Sequence, residues 1–176
     1  RQGWTVGKRL LQFERSGIGG LRGGARPAQT GSSLADLAKT YLGTNESGAI
    51  DDTDVREKVI DMNMNRLAFQ LTAQRANEEN KSGTPGASTS IFKLFGAALQ
   101  QDGAELKREI MGFKGLGTAG DEGFSNEELT ATEEWLHTKA TTIYGGSNEI
   151  QANIISKRVL GPVSYTHLRA HETEAY

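Results

Sequence analysis

Cysteine is absent from the 176 residues, which excludes a disulfide scaffold, thiolate zinc sites and thiol catalysis together. A charge excess of either sign is also missing: 20 Lys and Arg stand against 22 Asp and Glu, a formal net charge of −2. That balance cannot hold phosphate backbones, so nucleic acid is not an expected partner. Apolar runs are short, residues 94–99 being typical, whereas a membrane span needs roughly 20 residues. Proline is scarce, with three residues. Glycine is the exception, at 22 residues, or about 12% against an average near 7%. With so little proline, these glycines indicate neither collagen nor a proline-rich linker. They read as joints in a soluble helical domain, and 176 residues suit one domain of ordinary size.

Both ends carry unusual signals. Arg1 leads directly into Gly3-Trp4-Thr5-Val6, which reads as mid-domain sequence, so the true N-terminus is expected upstream. No secretory signal pattern is present. Residues 163–173 read VSYTHLRAHET, which resembles the in-frame translation of a transposase-type sequencing adaptor. Residues 162–176 are therefore expected to be a non-native, disordered tail, leaving 1–161 as the domain. His167 and His171 sit four apart, the spacing of paired helical zinc ligands. They fall in that tail without a nearby third ligand, so no metal is expected. His137 is the remaining histidine and reads as a surface or capping residue.

The periodicity is helical throughout. Leu11, Glu14, Ile18 and Leu21 step by three and four, beside a row of Val6, Leu10, Phe13 and Gly17. Glycines and Pro27 break this first helix between residues 17 and 33. A short helix is expected over 34–42, stopped by Gly43. Capping by the 51–54 aspartates opens a long one to about residue 77, with Ile60, Met64, Leu67 and Leu71 as its core stripe and Val55 and Val59 leading in. After the break at 82–86, Phe92, Phe95, Leu99 and Leu106 mark a helix to about residue 110. A glycine-rich connection spans 112–123. Leu129, Leu136, Ala140 and Ile143 then form a helix up to Gly145-Gly146, and Ser147 caps the last one. This pattern predicts an all-α fold, an antiparallel four-helix-type bundle.

Two places carry chemistry. Glu14 has Leu10, Leu11, Gly17 and Ile18 as its helical neighbours, so no cation can pair with it along the helix. A carboxylate held among apolar groups loses hydration, and its pKa rises toward the range of a general base or acid. Pairing with a cation from another helix, or a solvated face, is the competing reading. Arg15 likewise has no acidic helical neighbour, leaving either solvent or an external anion as its partner. The second place is residues 141–151, TTIYGGSNEIQ. Two glycines allow close backbone approach to a ligand, and Ser147 opens a helix whose N–H groups can face an anion or a polar ring. No P-loop or dinucleotide pattern fits the glycines elsewhere.

Ile143-Tyr144-Gly145-Gly146-Ser147-Asn148-Glu149-Ile150-Gln151, with Ile154-Ile155 and Lys157-Arg158-Val159-Leu160-Gly161 after it, resembles the C-terminal signature of the acyl-CoA dehydrogenase family. Gly3-Trp4, Leu10-Leu11 and Glu14-Arg15 resemble the start of that family's C-terminal helical domain. The resemblance covers roughly residues 1–161. It implies a C-terminal four-helix bundle that follows an N-terminal helical domain and a middle β-domain. It further implies FAD as cofactor, an acyl-CoA substrate oxidised to the trans-2-enoyl-CoA, and electron-transfer flavoprotein as the usual partner.

Many members carry the catalytic glutamate directly after the motif's tyrosine, where this chain has Gly145. Members similar to isovaleryl-CoA and long-chain acyl-CoA dehydrogenases carry it on the first helix instead, and that position matches Glu14. The resemblance also implies CoA contact by Arg15, substrate lining by Gly146, and FAD contact by Ser147, Asn148 and Glu149. The arginine-phenylalanine-glycine motif that reaches a neighbouring subunit's FAD has no counterpart after Gly31. A homo- or hetero-oligomer, dimer or tetramer, is implied, in the cytoplasm for a bacterial source and the mitochondrial matrix for a eukaryotic one. The 176 residues alone are expected to be inactive. A non-catalytic subunit and a plain helical interaction module are the alternatives.

Overall fold

The computed structural model describes residues 3–18, 33–79 and 89–161, with side chains described over 3–11, 33–76 and 90–161. Among them are six α-helices: α1 (Gly3–Ile18), α2 (Leu34–Leu42), α3 (Thr53–Glu79), α4 (Thr89–Met111), α5 (Asn126–Thr138) and α6 (Asn148–Ile154). The described residues contain no strand, only an isolated bridge between Thr44 and Ile50. The all-α bundle expected from the periodicity is what forms. The adaptor-like tail at 162–176, with His167 and His171, lies outside the described residues.

Helices α2, α3 and α5 start where a side chain satisfies free N–H groups of the first turn. Ser33 Oγ accepts from Asp36 N at 3.1 Å to open α2, and Gly43 at φ 82° ends it. Asp52 Oδ1 accepts from Val55 N at 2.9 Å to open α3. Ser125 and Glu128 form a reciprocal capping box on α5. Glu128 is also tied to α2, because Tyr41 Oη donates to its Oε1 at 2.9 Å.

Helix α4 is the hub, in contact with α1, α2, α3, α5 and α6. Its Leu99, Leu106 and Ile110 meet Val55, Val59 and Met62 of α3, Leu37 of α2 and Ala131 of α5 in one core. Burying each large aliphatic side chain contributes about 1.5–3 kcal/mol. Aromatic packing extends the α3–α4 seam: Phe69 meets Phe92 edge-on, with centroids 5.8 Å apart. A 3-10 turn over Gly112–Leu116 follows α4. Gly115 lies so close to α4 that a Cβ there would stand 2.9 Å from Arg108 O. Its carbonyl accepts from Arg108 Nε at 3.0 Å and from Thr132 Oγ1 at 2.9 Å, fastening α5 to α4.

The structure departs from the sequence reading in three helices. On α1, Val6, Leu10 and Leu11, from the apolar rows expected to hold Glu14 in a core position, are exposed. Ile60, Met64, Leu67 and Leu71, expected in the core, are between 51% and 64% exposed. Val55 and Val59, expected to lead into that stripe, do pack inward, but with Met62 rather than with the stripe, so α3 is apolar on two sides. The expected helix up to residue 143 ends at Thr138 and continues as a 3-10 turn, Lys139–Thr142. There Gln101 Nε2 of α4 donates to Thr138 O at 2.9 Å, a tertiary bond that competes with the α-helical pattern.

Candidate functional site

The chain between α5 and α6 reverses on two consecutive glycines, Gly145 at φ 68° and Gly146 at φ 101°. Both lie in the region that disfavours side chains. On its upstream side the turn is anchored by Thr141, which is buried and donates from Oγ1 to Thr138 O at 2.6 Å. On its downstream side Gln151 N donates to Ser147 O at 3.0 Å, closing the first turn of α6. Ile143, Tyr144 and Ile150 form an exposed apolar rim around the reversal.

Ser147 occupies the N-cap position with extended backbone, yet its hydroxyl caps no backbone N–H. Its Oγ donates to Glu149 Oε2 at 2.6 Å instead. The carboxylate two residues on is a stronger acceptor for the hydroxyl proton than any backbone group is a donor to its oxygen. That bond, with a further one from the Glu149 backbone and the positive charge of Lys93, holds the Glu149 carboxyl below the usual carboxylate range, against its own desolvation. Lys93 comes from α4, where it is fully buried. Asn148 Oδ1 is buried with no hydrogen-bond partner among the described residues.

Gln151, which the sequence reading did not single out, is fully buried beneath the turn. Its Nε2 donates to Gly145 O at 3.0 Å and to Gly146 O at 3.1 Å. The signal available in the sequence was a polar residue at a helical position flanked by Ile150, Ile154 and Ile155.

The structure thus gathers Gly146, Ser147, Asn148 and Glu149 at one turn. Glu14 and Arg15 sit on α1, within Gly3–Ile18, and their side chains lie outside the described residues. Helices α1 and α6 both pack on α4, so one helix supports both parts of the predicted site. Among the described residues no group of three or more His, Asp or Glu could hold a metal ion. None of the described helices is long and apolar enough to cross a membrane.

Comparison with known proteins bears on this geometry. Residues 1–160 match the family model described as acyl-CoA dehydrogenase, C-terminal domain. Acyl-CoA dehydrogenase IpdE1 of Mycolicibacterium smegmatis is 34% identical over 163 residues, covering 90% of this chain and 36% of that protein. Acyl-CoA dehydrogenase IpdE1 of Mycobacterium tuberculosis is 34% identical over 163 residues, covering 90% of this chain and 38% of that protein. The chain thus spans little more than a third of the length of these curated relatives. A chain of the ChsE4-ChsE5 complex from Mycobacterium tuberculosis shares the fold, with a TM-score of 0.60 at 20% identity over 74% of this chain and 35% of that one. The helical bundle built around α4, closed by the Gly145–Gly146 turn, is a C-terminal domain, and the chain belongs to the acyl-CoA dehydrogenase family.

Proposed function

We propose that this chain is the C-terminal portion, residues 1–161, of a flavin-dependent acyl-CoA dehydrogenase whose general base is Glu14. The observation that carries the reading is the state of Gly145 in a chain of this family. At φ 68°, with its carbonyl bound by Gln151, this position is built for a residue without a side chain, so a carboxylate base must come from elsewhere. Helix α1 offers Glu14, and α1 packs on the helix that also carries α6.

In the reaction, Glu14 removes a proton from the carbon beside the thioester carbonyl, and its carboxylate becomes the carboxylic acid. The trans-2-enoyl-CoA results once the neighbouring carbon has lost its hydride. Bound FAD supplies the acceptor for that hydride. Asn148 suits it, because its buried Oδ1 has no partner among the described residues and can accept from a hydroxyl or N–H of the cofactor. Ser147 and Glu149 are fastened to each other and hold the adjoining backbone. Gly146 lines the acyl-CoA site, and Arg15 meets the anionic CoA portion.

Trp4, Val6 and Leu10 on α1, with the outer stripe of α3, are exposed apolar groups. They support an oligomeric holoenzyme, a dimer or tetramer, that covers them. Electron-transfer flavoprotein reoxidises the cofactor, and with bacterial relatives the cytoplasm is the location we assign. The test is anaerobic titration, with acyl-CoA thioesters, of the flavin-loaded complete enzyme of which this chain is the C-terminal portion. Bleaching of the flavin absorbance is expected with at least one chain type; none across short, long, branched and bulky thioesters would overturn the reading.

A further inference from the structure

We infer that Gln151 is the positioning residue of the cofactor-facing turn: its carboxamide clamps the Gly145 and Gly146 carbonyls and so fixes the backbone that presents residues 147–149. The inference rests on the flavin reading for its ligand, while the clamp belongs to the turn itself.

Two adjacent glycines determine their own conformation poorly, since each ranges over both signs of φ and loses more freedom on ordering than any other residue. A turn at φ 68° and then 101° therefore needs an outside constraint to stay in one shape. Gln151 supplies it. Its main chain is anchored by the bond from its N–H to Ser147 O, and its side chain reaches back to two successive carbonyls at 3.0 and 3.1 Å. Both hydrogens of Nε2 are used.

The orientation of the amide is dictated chemically. Turned over, Oε1 would face two carbonyl oxygens and make a cluster of three acceptors without a proton among them. The fit leaves no slack, because a Cβ on Gly146 would stand 2.7 Å from Nε2. The side chain is fully buried, so water does not replace a lost bond easily, and an unsatisfied carbonyl there is costly. Asparagine, one methylene shorter, cannot reach both carbonyls from the same anchor. Methionine matches the length and donates nothing.

The test uses the holoenzyme with Gln151→Met and Gln151→Asn, read by FAD affinity and by hydrogen–deuterium exchange of the peptide covering residues 144–151 without flavin. Ser125→Ala, which removes the cap of α5 away from the turn, serves as a control for general destabilisation. We expect both Gln151 variants to weaken FAD binding by about tenfold or more and to speed exchange in that peptide. The control should lower the melting temperature without either effect. Binding within about twofold of the parent in a folded variant would overturn the inference. So would unchanged exchange, or an equal loss of affinity in Ser125→Ala. Should the parent bind no FAD, the flavin reading fails; the exchange data would then uphold the clamp if the peptide opens and reject it if it does not.

Discussion

Alanine in place of Gly146 tests the geometry of the turn quantitatively. At φ 101°, an L-residue occupies a sparsely populated region that costs about 1–3 kcal/mol. Its Cβ would also stand 2.7 Å from Gln151 Nε2 and 3.4 Å from Ile150 Cγ2. The first distance is far inside van der Waals contact, so the carboxamide must swing away. That movement breaks the bonds to Gly145 O and Gly146 O, at roughly 0.5–1.5 kcal/mol each. The total comes to about 2–6 kcal/mol. In a Gln151→Ala background the collision and the bonds are already gone, so only the backbone strain remains and the same substitution costs about 1–3 kcal/mol. Urea unfolding of the four proteins of this cycle, followed by far-ultraviolet circular dichroism, gives the coupling directly. A coupling of about 1–3 kcal/mol is expected. Costs that agree within about 0.5 kcal/mol in the two backgrounds would refute the reasoning.

Three further outcomes follow from the bundle. Phe92, buried at the α3–α4 seam against Phe69, should cost about 3–5 kcal/mol on substitution by alanine, measured by the same unfolding assay. Ser125→Ala should cost about 1 kcal/mol, because one half of the capping box on α5 is lost. Stability should fall at alkaline pH through Tyr41, whose hydroxyl is pushed up to about 12, by burial first and then by its bond to Glu128. The raised value favours the neutral phenol in the folded state, so its contribution is complete below the ordinary value near 10 and is lost as pH rises toward 12. Urea midpoints of wild type and Tyr41→Phe between pH 9 and about 12 check this, since the variant should lack that part of the decline.

The helices themselves were legible because apolar residues recur at helical spacing and because breakers such as Gly43 fall between the runs. The covered face of α3 was legible only at its start, at Val55 and Val59. Ile60, Met64, Leu67 and Leu71 form as regular a stripe as Val55, Val59 and Met62, and periodicity cannot tell which of two apolar faces one chain covers by itself. The end of α5 at Thr138 depends on Gln101, 37 residues earlier, so no local pattern announces it. At the turn, the glycine pair and the Ser147 position were readable, since few other residues permit such a reversal. The pairing of Ser147 with Glu149 was not, because a serine before a helix usually caps the backbone and only the geometry shows which acceptor takes the proton. Gln151 looks like an ordinary polar helix residue until its burial is known. Glu14 is different in kind: its sequence surroundings and its match to the family pattern single it out, while α1 supplies the helix it needs.

Whether Glu14 is the base is decided by Glu14→Gln in the flavin-loaded complete enzyme. Glutamine keeps the size and polarity of the side chain but cannot take up the substrate proton. Anaerobic mixing of this variant with an acyl-CoA that bleaches the parent, monitored in the flavin absorbance band, is the measurement. The variant should remain yellow with FAD bound, and bleaching should slow by about 10²–10⁴-fold. Bleaching near the wild-type rate would contradict the account and assign the proton to another residue.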